Sequence, residues 1–289
     1  MILRAAPAPF LLLAALLAGP ALAAPEPPTP GAPDLSRARA LAMGNAFRAV
    51  ATSNDAIFLN PAGMAVGQRY AVDGSFTLAP ATDARLWSFS VVDSKTSQVA
   101  AGAAYSVLRG DGLEGPVKGS ASHLGIAVPF AGVGTLGLAG KYLRFDRPDP
   151  TNAVTLDVGL LLRLADRLSA GAVATNVIDV RSDEAPFGAG FGLSYGDDAS
   201  FRLAGDVSLD LSRDDSTPAT LHGGAEYLVG GGLPLRVGFR RDVEGARNYL
   251  SGGLGLVTPT LGADLAFVQG LDPDRSDDRT FSLTLGLFL

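Results

Sequence analysis

From residue 69 to the end of the chain, apolar and polar residues alternate in short runs with a period of two. In the run 200–211, Phe201, Leu203, Val207, Leu209 and Leu211 fall on one side, and Arg202, Ala204, Asp206, Ser208 and Asp210 on the other. In the last run, Phe281, Leu283, Leu285, Leu287 and Leu289 alternate with Ser282, Thr284, Gly286 and Phe288. Successive side chains of a strand point to opposite faces, so both patterns fit strands and neither would hold together on a helix. Reading every run this way predicts strands at 69–78, 84–92, 98–108, 120–130, 134–146, 153–164, 167–176, 186–195, 200–211, 218–229, 233–242, 248–257, 260–269 and 279–289. That is about fourteen strands, an even number, each near the length of a tilted membrane-crossing strand.

The connections between the runs alternate as well. Tight ones lie at 93–97, 131–133, 165–166, 196–199, 230–232 and 258–259, and mostly longer, charge-rich ones at 109–119, 147–152, 177–185, 212–217, 243–247 and 270–278. Short turns on one side and longer loops on the other are the layout of an outer-membrane barrel. A soluble sandwich has no reason to keep that rhythm. The expected fold is therefore all-β: a transmembrane antiparallel barrel over residues 69–289.

The N-terminal end reads as an export signal. Arg4 gives a positive start, Phe10 to Ala18 a short apolar core, and Ala21-Leu22-Ala23 a small-x-small cleavage site, so residues 1–23 are the expected signal peptide. Residues 24–33 form a Pro-rich leader. Hydrophobic residues make up 47% of the chain, yet no segment has the charge-free stretch of a membrane helix. A barrel reconciles the two, because it turns alternate residues toward lipid. The 36 glycines agree, being poor in helices and common where walls pack closely. With no cysteine, the chain carries neither a lipobox nor disulfides. A net charge of −6 argues against a nucleic-acid partner.

Between leader and barrel, residues 34–68 are too irregular and too rich in small residues for strands. Here stand Met43-Gly44-Asn45-Ala46, Ala49-Val50-Ala51 and Asn60-Pro61-Ala62-Gly63. In order and spacing these blocks resemble the N-terminal signature of the FadL superfamily of outer-membrane barrels. That superfamily includes fatty acid transporters, aromatic-hydrocarbon channels and the PorV group of secretion-associated barrels. The resemblance implies an N-terminal plug, or hatch, inside the lumen, with Asn60, Pro61, Ala62 and Gly63 as its gate. It also implies ligand release through a kink in the third strand, where Ala100 to Ala104 are small enough to bend or leave a gap. Small residues there are equally ordinary for packing against a plug.

The residues themselves suggest how such a hatch would be built. Ser53, Asn54 or Asp55 can cap a short helical turn over Ala56 to Leu59. Pro61 stops it, Asn60 can form an Asx-type turn, and Gly63 permits positive φ. Phe47, Ile57, Phe58, Leu59 and Met64, with Val50, give the segment an apolar surface, for packing on the wall or for binding a greasy ligand. Arg37, Arg39 and Arg48 can pair with lumen acids or meet a ligand carboxylate, and the several acids available favour pairing. The candidate lumen face holds Asp73, His123, Lys141, Asp157, Arg163, Arg202, Asp206, Asp210, His222, Glu226, Arg236, Arg240 and Asp264, with both signs in similar number. That mixture suits internal pairing rather than a selective ion ring.

Three decoys are set aside. Gly132 to Gly137 spells a dinucleotide fingerprint, but in a hairpin with no helix after it. His123 and His222 sit on separate strands without zinc spacing, and Ser122 beside His123 has no third group to complete a hydrolase site. No cofactor, metal or catalytic residue is expected. The sequence thus favours a passive channel for small hydrophobic molecules in the bacterial outer membrane, with membrane lipid around it and no enzyme activity. The alternatives are a PorV-like barrel that holds a secreted protein, or a purely structural barrel.

Overall fold

The computed structural model describes residues 36–289 except 113–114, 147–150, 179, 181–184, 214–215 and 274–275. The expected signal peptide and leader lie outside the described residues. Fourteen strands follow one another: β1 (Tyr70–Ala79), β2 (Ala84–Asp93), β3 (Ala100–Gly112), β4 (Gly115–Phe130), β5 (Gly134–Asp146), β6 (Thr151–Ala165) and β7 (Leu168–Thr175). They continue with β8 (Gly188–Gly196), β9 (Phe201–Asp210), β10 (Ala219–Val229), β11 (Leu233–Asp242), β12 (Arg247–Val257), β13 (Leu261–Gly270) and β14 (Arg279–Phe288). Each pairs antiparallel with its sequence neighbours, and β14 returns to β1 over Ala71↔Phe288 to Leu78↔Phe281, closing the barrel. Closure leaves no strand edge for lipid to meet, which the absence of water in a bilayer demands.

The alternation read from sequence has the sense expected. On β9, Asp206 is buried inside the barrel; on β14, Ser282 and Thr284 are buried while Phe281, Leu283, Leu285 and Leu287 are exposed. Aromatics gather near both rims of the outer face. Phe76 stacks on Trp87 at 4.2 Å and Phe267 on Phe281 at 5.0 Å toward the long-loop rim, and Tyr195 meets Phe201 at 6.1 Å toward the short-turn rim. Such girdles mark the two interfaces of a membrane barrel.

The wall is uneven in height. β3 to β6 run thirteen to sixteen residues, whereas β7 and β8 have eight and nine. The expected loop at 109–119 is accordingly mostly strand: β3 continues to Gly112 and β4 restarts at Gly115, paired Gly112↔Gly115. Polar residues misled the reading, since a strand that rises past the membrane can carry charge on both faces. On the low side, Ala185 and Val180, between β7 and β8, pack with Ala121, Leu143 and Phe145 of the inner wall.

Residues 36–66 lie inside the ring. Helix α1 (Ala38–Ala42) packs against β11 to β14, while a 3₁₀ turn (Pro61–Ala65) packs against β3 to β6 on the facing side. Between them, helix α2 (Ser53–Leu59) touches β1 to β4. Many wall glycines face this segment. A Cβ on Gly159 would collide with the Asn60 side chain, one on Gly137 with Ala62, one on Gly171 with the Arg48 carbonyl, and one on Gly238 with Gly44. The glycines are therefore a track that lets irregular backbone approach the sheet. Gly63 has the same reason: its φ is not positive, and a Cβ there would run into the Ala51 carbonyl. The capping expectation also changes. α2 starts at Ser53 after Thr52 with no side-chain cap; Asn54 instead donates to Ser90 Oγ at 2.9 Å, and Asp55 faces Arg37 at 3.5 Å.

Gly159→Val should displace the Asn60 turn and lower the heat-unfolding midpoint of the barrel, by about 1–3 kcal/mol of stability as overpacking does. Gly223→Val, where no atom lies within 4 Å of the added carbon, should leave the midpoint unchanged in the same gel-mobility melt.

Candidate functional site

The inner face is organised in layers. At mid-height the wall satisfies the backbone of the N-terminal segment. Phe47 and Arg48 amides donate to Asp206 at 2.6 and 2.7 Å, the Ala38 amide to Thr284 at 3.2 Å, and the Gly44 amide to Ser251 at 3.1 Å. His222 contacts the Gly44 carbonyl at 2.8 Å through Nδ1 and Ser208 at 3.0 Å through Nε2. Ser194 donates to the Ala49 carbonyl at 3.3 Å.

The three segment arginines meet acids, as the sequence suggested. Arg37 binds Asp73 and also lies 3.5 Å from Asp55. Arg48 lies 3.4 Å from Asp206. Arg39 reaches Glu226 at 3.0 Å, and Glu226 in turn takes Arg236 at 2.5 Å, which bonds Asp264 at 2.6 Å. Burial alone would lower the pKa of the Arg39 guanidinium, but the charges of Glu226 and Asp198 outweigh it, so its pKa stands above the ordinary value. Lys141 and Asp157 form a further pair at 2.6 Å. Arg163, by contrast, is exposed at the short-turn rim.

The gate residues expected from the resemblance sit together. Asn60 is fully buried; its Nδ2 donates to the Arg48 carbonyl at 2.7 Å and to the Leu160 carbonyl of β6 at 3.1 Å. Its Oδ1 accepts from the Ala62 amide at 3.2 Å, the Asx-type turn that the sequence allowed. Pro61, Ala62 and Gly63 form the buried 3₁₀ turn itself. Asn60 thus ties two parts of the segment to one wall strand.

The tentative ligand residues take other positions. Phe47, Ile57 and Met64 are wholly buried and pack with Val92, Ala100, Ala104 and Ala127, and Phe58 and Leu59 lean on the same cluster half-buried. Phe58 meets His123 edge-on at 5.2 Å. β3 pairs without interruption from Ala100 to Gly112 on its β4 side, and Gly102 lies against Met64, so no gap opens where the third strand was expected to kink. Ser122 and His123 point to opposite faces of β4, His123 buried inward, and cannot act together.

A cavity of about 170 Å³ lies elsewhere, beneath the long-loop rim on the β11–β3 side. Leu41 of α1 forms its floor, and Ala79, Ala84, Leu86, Leu108, Tyr249 and Val268 its apolar wall; Thr77, Arg240, Asp278 and Thr280 supply polar atoms. Sequence reasoning named Arg240 alone among these residues. The others are ordinary inward positions on seven elements, and only closure of the sheet brings them together.

Many solved chains share this fold, three of which illustrate it. The monoaromatic hydrocarbon channel CymD matches with a TM-score of 0.66 at 12% identity, covering 88% of this chain and 96% of that one. The toluene transporter TbuX of Ralstonia pickettii matches at 0.63 and 12%, covering 87% and 97%. A FadL homologue of Pseudomonas aeruginosa matches at 0.54 and 13%, covering 92% and 99%. At this identity the likeness is one of fold. No protein-family model matches the chain, and no curated protein does.

Arg48→Glu or Asp206→Ala should each lower the midpoint in a gel-mobility melt. The first sets two carboxylates together and the second strips two backbone amides of their acceptor, losses on the order of 3–5 kcal/mol for a buried charge pair. An unchanged midpoint in both would show that these contacts do not hold the segment.

Proposed function

We propose that the protein is an outer-membrane channel for passive uptake of small hydrophobic molecules, with residues 34–68 as a hatch that closes the lumen. The outer location rests on the apolar exterior, the rim aromatics and the shared fold. The observation that carries the substrate class is the cavity. At about 170 Å³ it is close to the roughly 150 Å³ apolar cavity that takes up benzene in a protein interior. The ring size of the molecules named for CymD and TbuX fits the same space.

Passage beyond the cavity requires movement, because Leu41 floors it and the hatch core below is closely packed. Asn60 to Gly63 form the gate. Release of the Asn60 bonds to Arg48 and Leu160 frees the 3₁₀ turn from β6, and Phe47, Ile57, Phe58, Leu59 and Met64 then line the path as apolar steps. The driving force is partition of an apolar solute out of water, about 25 cal/mol per Å² of apolar surface removed. The comparisons lend no support to a secretion-partner role, since CymD is a hydrocarbon channel and TbuX a toluene transporter.

Liposomes carrying the purified barrel should take up labelled toluene faster than empty ones and should exclude a polar dye of similar size. Leu41→Lys, which puts a charge on the cavity floor, should slow toluene entry about tenfold, as a kcal or two of lost apolar contact implies. Uptake equal to that of empty liposomes would overturn the channel reading.

A further inference from the structure

Among the arginines that reach into the lumen, Arg240 stands apart. Arg37, Arg39, Arg48 and Arg236 each hold a carboxylate within 3.4 Å. The Nε of Arg240, like that of Arg48, is buried without a hydrogen-bond partner, but the ion pair of Arg240, with Asp242, is stretched to 3.7 Å. Its guanidinium lies 4.1 Å from the centroid of the Tyr249 ring, and both residues line the cavity under the long-loop rim. A partly buried cation with an unused donor, set against an aromatic face in a chamber walled mainly by apolar side chains, is an incomplete site. A guanidinium is matched in shape by a carboxylate, and burial strengthens that pairing.

We infer that this cavity binds a small aromatic carboxylate, its ring against Leu41, Leu86 and Leu108 and its carboxylate on Arg240. The inference rests on the channel reading and narrows its substrate class from neutral hydrocarbons to ring-bearing monoanions. The cation–π contact with Tyr249 restrains the guanidinium at the cavity wall. Asp278 stands in the same lining without an ion pair to Arg240 among the described residues. Its charge disfavours a second anionic group on the ligand, which limits the site to one carboxylate. The chamber has room for a single ring and not for a folded long acyl chain.

The test is calorimetric titration of the full-length protein in mild detergent at neutral pH with two probes of one ring each, benzoate and toluene. Benzoate should bind at least tenfold more tightly, the gain expected from a hydrogen bond to a charged group. In Arg240→Gln that ratio should collapse tenfold or more, and Arg240→Lys should restore part of it. Asp278→Asn should raise the ratio by relieving repulsion. A gel-mobility melt confirms that each variant is a folded barrel. Toluene binding with no preference for benzoate, or a preference that survives Arg240→Gln, overturns the carboxylate site and leaves the hydrocarbon channel standing. Binding of neither probe, together with no toluene uptake by liposomes, overturns the channel reading and the site with it.

Discussion

Irregular backbone can sit inside a barrel only if the wall satisfies its hydrogen bonds, and that constraint shapes most of this molecule. Residues 36–66 are buried, yet only short pieces of them are helical. Their remaining amides and carbonyls have no strand to pair with. Asp206, Thr284, Ser251, Ser194 and His222 on five strands take that role, and Asn60 reaches the carbonyl of Leu160. An unmet backbone group in such a place costs about 1–3 kcal/mol, so the polar inner face is a structural requirement before it is anything else. The wall glycines are the steric half of the same requirement.

This constraint explains what the sequence disclosed and what it withheld. Strand number, order and facing follow from the period-two pattern, because lipid outside and a hydrated or hydrogen-bonded lumen inside impose it residue by residue. The Asn-Pro-Ala-Gly block was legible as a turn, since Asn60 can satisfy its own backbone with a side chain only one residue long. The pairing of Arg37, Arg39 and Arg48 with acids was legible from charge balance, although which acid each would meet depended on register. Gly63 was read for its freedom of φ, whereas its role is close approach to Ala51, a contact between residues twelve apart that no local pattern carries. The cavity was not legible at all. Leu86, Leu108, Tyr249 and Val268 look like any inward residues until β1 closes on β14 and brings β2, β3, β12 and β13 to one side.

The layers also bear on how a channel of this form would work. The apolar chamber lies under the rim of long loops, the packed segment beneath it, and the chain Arg39–Glu226–Arg236–Asp264 toward the short turns. A solute entering from outside would meet the chamber first and this chain of ion pairs last.

The central claim is that residues 36–66 close the lumen and must move for passage. The most direct measurement places cysteines at Asn54 and Ser90, whose side chains touch at 2.9 Å, in a chain that has no cysteine of its own, and follows toluene uptake into liposomes before and after reduction. The account predicts uptake that is slow while the bridge is intact and rises to the level of the unaltered protein once it is reduced. Uptake that is the same in both states would contradict it, because solute would then be passing a segment fixed to the wall.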